Sequence, residues 1–267
     1  MTYVHPTAAN GFSQADAYAK LRPTYPQSVL DHVESLLSKN NKDAPILDLA
    51  AGTGIVTKLL IEEGQYTNIT AIEPVDPMRE QLVALFPQVQ TFKGTSWNIP
   101  LPSKSQQVVI IGQAFHWFSD IPSLREIHRV LEPGGHLILV WNLESKERSQ
   151  WVRKLRDLYE QYEGDAPQYR QQKWKAIFEE PEAGQLFDLP LQYQQHSNDM
   201  LCTRETVIDR IMKTRSHIKM LPQEEQNGIR KQIDSILDDS ADGFKLDDQG
   251  YVHYPHDTDI FWTQRKL

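Results

Sequence analysis

From Ala44 to about Trp141, short β-branched runs alternate with longer amphipathic stretches, and no other feature limits the fold of this chain as tightly. Strands are predicted at Pro45–Leu49, Asn68–Ile72, Val89–Phe92, Gln107–Ile111 and His136–Trp141. Between them, residues 54–63, 77–86 and 121–131 carry apolar side chains at helical spacing, as in Ile121, Leu124, Ile127 and Leu131. Strands separated by helices cannot pair as hairpins. They pair in parallel through crossovers, which gives an α/β sheet with helices on both faces.

The alternation stops after Asn142. Trp151, Val152, Leu155, Leu158, Tyr159 and Tyr162 form one helical stripe, Val207, Ile208, Ile211 and Met212 a second, and Ile229, Ile233, Ile236 and Leu237 a third. The end, "DTDIFWTQRKL", reads as a strand returning to the sheet antiparallel to its neighbour. With 267 residues, the expectation is one domain in four parts. Residues 1–43 form an amino-terminal helical cover, 44–142 the βα core, 143–250 a mainly helical insertion and 251–267 the returning strand.

Composition excludes several classes of function. A profile of 39% hydrophobic and 24% charged residues is that of a folded globular chain. A formal charge of −8 disfavours nucleic acid as a partner. The one cysteine, Cys202, permits no intrachain disulfide and no thiolate cluster, so the expected location is the cytoplasm. The longest strongly apolar run, Val108 to Phe118, is too short to span a membrane, and the start lacks the apolar core of a signal peptide. His253, His256, Asp257 and Asp259 lack a trustworthy ligand pattern, so no metal is expected.

Open α/β sheets bind ligands beyond the carboxyl ends of their strands, which directs attention to "ILDLAAGTG" at Ile46–Gly54. A pyrophosphate fingerprint would need a third glycine where Thr57 stands, which weakens a nicotinamide-dependent oxidoreductase reading. Instead the stretch offers Asp48, Ala50, Gly52 and Gly54, and about 20 residues later Glu73 ends the second predicted strand, where a carboxylate can accept both hydroxyls of a ribose.

With these residues in register, the chain over about residues 12–142 resembles the class I S-adenosylmethionine-dependent methyltransferases, whose fold is a Rossmann-like, mostly parallel sheet. The resemblance implies S-adenosyl-L-methionine as cofactor, with Asp48 to Gly54 as the first motif, Glu73 and Pro74 at the ribose and Met78 against the adenine. "GTSWNIPLPSKSQQVVIIGQAFHWF" resembles the third and fourth strand motifs. It implies Thr95, Ser96 and Trp97 near the adenine amine, with Gln113, Ala114 and the residues to Trp117 facing the methyl group. "REIHRVLEPGGHLILVWN" resembles the helix, turn and fifth strand that follow. "ADAYAKLRPTYP" is similar to the cover of small-molecule methyltransferases acting on trans-aconitate or thiols, implying Tyr18 near the sulfonium and Arg22 near the cofactor carboxylate.

The reading is transfer of a methyl group to an O, S or N atom of a small molecule. The mixed, aromatic insertion suits a lid over a pocket, with His116, Trp117, Trp151, Tyr169, Trp174 and Phe178 as its candidate lining. His116 is also the candidate general base, with a near-neutral pKa. A binding module that has lost its chemistry is the alternative.

Overall fold

The computed structural model describes residues 21–38 and 41–267. In chain order the first half runs α1 (Gln27–Leu36), β1 (Ile46–Leu49), α2 (Ile55–Lys58, continued by one wider turn, Leu59–Glu63), β2 (Ile69–Ile72), α3 (Asp76–Leu85), β3 (Gln90–Phe92), β4 (Gln106–Gly112), α4 (Ile121–Val130) and β5 (Leu131–Glu144). The second half adds α5 (Gln150–Glu160), α6 (Pro181–Leu186), β6 (Gln192–Ser197), β7 (Met200–Thr203), α7 (Arg204–Thr214), α8 (Ser216–Lys219), α9 (Gln223–Asp238), β8 (Tyr251–Tyr254) and β9 (His256–Gln264).

Seven strands form the main sheet in the order β3-β2-β1-β4-β5-β9-β6. β3, β2, β1, β4 and β5 pair in parallel, and β9 returns antiparallel to β5, as expected for the terminal strand. The strand order reverses direction at β1, between β2 and β4. All four residues of β1 are buried because helices cover both faces. Ile46 joins the apolar layer under α1 and α2, while Leu47 and Leu49 join the opposite layer under α4. Asp48 shares the face of Ile46. Being one step from the strand end, it meets the crevice and not the core.

The stretch expected to be mainly helical also supplies strands. β6 adds to the sheet edge beyond β9, and β7 pairs with β8 in a separate two-stranded ribbon. "QYQQHS" escaped the strand criterion because it is an edge strand, exposed at every position but His196, and carries few apolar residues. Helices α5, α7 and α9 pack with β7 and β8 around a third apolar layer, built on Trp151, Leu155, Ile208, Ile211, Ile229 and Ile233.

Candidate functional site

The turn after β1 is shaped by left-handed backbone at Ala50 (φ 60°), Gly52 (φ 58°) and Gly54 (φ 88°). Alanine at the first of these costs roughly 1 kcal/mol. At Gly54 the space is occupied as well. A Cβ there would come within 3.2 Å of Leu82 and Phe86, so the glycine lets the start of α2 seat on α3. Gly54 therefore supports the turn from beneath and is absent from the cavity wall.

That wall lies over the carboxyl ends of β1, β2 and β4. Of the residues singled out for the cofactor, Arg22, Asp48, Ala50, Gly52, Glu73, Pro74, Met78, Thr95, Ser96, Trp97, Gln113 and Ala114 line one cavity, of about 1100 Å³ of empty space. Tyr18 lies outside the described residues. Glu73 is 4% exposed, and its two oxygens accept the backbone N–H groups of Gly52 and Val75, both at 2.8 Å. The carboxylate thus ties the glycine turn to the end of β2, a role its position in the sequence did not reveal. Burial raises its pKa to about 6, against the lowering effect of those two hydrogen bonds.

Asp48 is fully buried. Its Oδ2 accepts the Thr57 hydroxyl at 2.6 Å, so the residue that broke the pyrophosphate fingerprint orients the aspartate. Burial raises the Asp48 pKa to about 7. Its Oδ1, like Thr53 Oγ1, is buried without a hydrogen-bond partner among the described residues, and both residues are in the cavity wall. An ammonium and a hydroxyl-seeking carboxylate suit these two atoms. A phosphate does not, because Arg22 is the one formal cation of the wall among the described residues.

The other side of the cavity is set by α4. Asp120 caps that helix by accepting Ser123 N–H at 2.8 Å, and its second oxygen accepts Trp97 Nε1–H at 2.7 Å. Ser123 donates to Ser96 Oγ at 2.8 Å. Two wall residues the sequence left unmarked are Tyr25 and Gly112. A Cβ on Gly112 would stand 2.7 Å from the Tyr25 hydroxyl and from Val56, so this glycine seats Tyr25 across the end of β4. The 21–25 segment is held in place by Asn142 Nδ2 and Asn198 Nδ2, which donate to the Thr24 carbonyl at 3.1 and 2.8 Å.

A second cavity, of about 990 Å³, adjoins the first, and both are walled by Arg22, Pro23, Gln113 and Trp117. Of the expected acceptor residues, His116, Trp117 and Tyr169 line it. Trp151, Trp174 and Phe178 do not. Trp174 is 2% exposed and packs against Trp141 and Phe261, Phe178 lies against Phe115, and Trp151 packs against Phe244 and Tyr254. These three aromatic side chains serve the apolar layers and not the pocket.

His116 does not have the near-neutral pKa expected of a base. Burial, and then the Arg22 guanidinium, lower it to about 3. Trp141 Nε1–H donates to its Nδ1 at 3.2 Å, which leaves the ring proton of the neutral imidazole on Nε2. His116 is arranged as a hydrogen-bond donor. Among the described residues no cluster of histidine, cysteine and acidic side chains is placed to hold a metal.

Residues 47–139 match the family model described as a methyltransferase domain. An uncharacterized methyltransferase-like protein of Schizosaccharomyces pombe is 31% identical over 82% of this chain and 82% of its own length. An uncharacterized methyltransferase of Mycobacterium bovis is 38% identical over 55% of this chain, a match spanning 57% of that protein. Among solved structures, the YcgJ protein of Bacillus subtilis shares the fold with a TM-score of 0.54 at 18% identity, over 91% of this chain and all (100%) of that one. Phosphoethanolamine N-methyltransferase 2 of Haemonchus contortus, in complex with S-adenosyl-L-methionine, aligns with a TM-score of 0.55 at 12% identity, over 100% of this chain and 61% of that one.

Proposed function

This chain belongs to the class I S-adenosylmethionine-dependent methyltransferases, and from that we propose that it methylates an O, S or N atom of a small molecule. The observation that carries the proposal is the pair of adjoining cavities with a common wall of Arg22, Pro23, Gln113 and Trp117, one suited to the cofactor and one to the acceptor. When bound, S-adenosylmethionine supplies a methyl carbon on a positively charged sulfur, so that an acceptor lone pair can take the methyl while S-adenosylhomocysteine leaves.

In this reading Glu73 accepts the ribose hydroxyls through lone pairs left over from its backbone contacts, while Asp48 Oδ1 and Thr53 Oγ1 receive the amino acid end. Arg22 stands in the wall where a carboxylate would be balanced, Pro74 stands with Glu73 at the ribose, Met78 packs on the adenine, and Thr95, Ser96 and Trp97 lie near its amine. Tyr18 is proposed to complete the cover. Gln113 is held at the shared wall in left-handed backbone (φ 58°) by its Nε2, which donates to the Asn142 carbonyl at 2.8 Å.

The protein's contribution to rate is alignment and exclusion of water. His116, neutral and protonated on Nε2, orients the acceptor from the second cavity. Proton removal falls to solvent or is unnecessary because the acceptor is already ionised. A small acceptor is supported by the lining of the second cavity, a pocket walled by residues of β5, α5 and α7. The test is incubation with methyl-labelled cofactor and cell extract separated into small-molecule, protein and nucleic-acid fractions. Label is expected in the small-molecule fraction, and its confinement to either polymer contradicts the proposal.

A further inference from the structure

The second cavity is walled by four arginines, Arg22, Arg170, Arg210 and Arg215, against three glutamates, Glu144, Glu160 and Glu163. The carboxylates are already engaged. Glu144 takes Arg210 at 3.2 Å, Arg215 at 2.6 Å and the Tyr159 hydroxyl at 3.1 Å. Glu160 takes Lys146 at 3.0 Å and Arg156 at 2.6 Å from outside the wall and Arg170 at 3.3 Å from within it, and Glu163 also takes Arg170. Arg210 and Arg215 are not used up in the same way. Arg210, 5% exposed, keeps its Nε without a partner, as do the buried Nε of Arg215 and Nε2 of His217, among the described residues.

Buried nitrogens without partners need an explanation, since nearly all buried polar groups are satisfied. Two of the three are guanidinium N–H groups, which can only donate. A ligand that completes them must bring acceptor atoms, and the surplus of cations requires it to bring negative charge. Arg215 and His217 line the second cavity and not the first, so they do not belong to the cofactor's share of the crevice. The Arg215 Cζ also lies 3.4 Å from the centroid of the Tyr159 ring, a cation–π contact that fixes the guanidinium against this wall.

We propose that the second cavity anchors an oxyanion group of the methyl acceptor, carboxylate or phosphate, on Arg210 and Arg215. This rests on the reading of that cavity as the acceptor site. It adds that the acceptor is an anion held by one end while its nucleophilic atom is presented at the wall shared with the cofactor.

The test is calorimetric titration of the full chain with benzoate, inorganic phosphate, benzamide and benzylamine, each with and without S-adenosylhomocysteine. One of the two anions is expected to bind at least about tenfold more tightly than benzamide or benzylamine, the loss that goes with one charge-assisted hydrogen bond. Preference for benzoate assigns a carboxylate and preference for phosphate a phosphate. Arg215→Gln and Arg215→Lys, neither of which keeps the guanidinium Nε–H, should each weaken that anion at least about tenfold while leaving affinity for S-adenosylhomocysteine unchanged. Arg215→Lys keeps a cation beside Glu144 and keeps the test open if Arg215→Gln does not fold. Benzamide binding as well as the anions, neither anion binding, or anion affinity indifferent to both variants overturns the proposal. Absence of S-adenosylhomocysteine binding would instead count against the cofactor assignment, and the anion titration without it would still decide this inference.

Discussion

Glu73 and Asp48 differ in how much of their hydrogen-bonding capacity is committed, and that difference separates their expected effects. Both oxygens of Glu73 hold backbone N–H groups, so Glu73→Ala removes the proposed ribose contact and loosens the glycine turn together. Affinity for S-adenosylhomocysteine should fall by about 1.5–3 kcal/mol in a calorimetric titration, with a lower melting temperature. Asp48 gives only Oδ2 to Thr57, and its pKa rises from the ordinary 3.8 to about 7 through burial. The folded chain therefore holds a proton there that the unfolded chain releases between about pH 4 and 7. By linkage, the stability this residue contributes is present below the unfolded pKa and is lost as pH rises through that window. Denaturant midpoints without ligand should decline across it and flatten in Asp48→Asn. Affinity for the cationic S-adenosylmethionine should move the other way, rising with pH as the carboxylate ionises. His116, lowered to about 3, should leave no inflection in turnover between pH 5 and 8, unlike a base of ordinary histidine pKa.

The first half of the chain was legible at the level of elements, because a buried parallel strand and a covering helix each leave a period in the apolar residues. β1, β2, β3 and β4 lie within a residue or two of where the runs placed them, and β9 returns antiparallel as its alternation implied. What sequence could not carry was contact between elements. Tyr25 precedes α1 and Gly112 ends β4, and only folding sets the tyrosine hydroxyl in the space that a Cβ would need. Gly112→Ala should accordingly cost about 1–3 kcal/mol in stability and weaken S-adenosylhomocysteine binding, because Tyr25 and Val56 must both move. Chemical denaturation with a parallel titration checks this. The same blindness explains Trp151, Trp174 and Phe178. Their spacing marks a buried face, but a stripe says nothing of whether apolar packing or a cavity lies opposite.

At the scale of the whole molecule, the second cavity draws on residues from 22 to 217, and no local pattern joins Glu144 at the end of β5 to Arg210 and Arg215 around α7. Although burial alone would raise the Glu144 pKa, Arg215 and Arg210 hold it well below the usual carboxylate range. This contribution to stability is present above the unfolded carboxylate pKa and is lost as pH falls through the folded value. Glu144→Ala should destabilise the chain by about 3–5 kcal/mol, since it leaves buried guanidinium groups without their counter-charge. The central claim is a division of labour between two cavities that meet at one wall, and hydrogen exchange of the full chain with and without S-adenosylhomocysteine tests it most directly. Protection is expected at residues 48–56, 73–78, 94–97 and 112–114, with exchange at 159–170 and 210–217 left unchanged. Protection centred on the second group, with the first unaffected, would contradict the account.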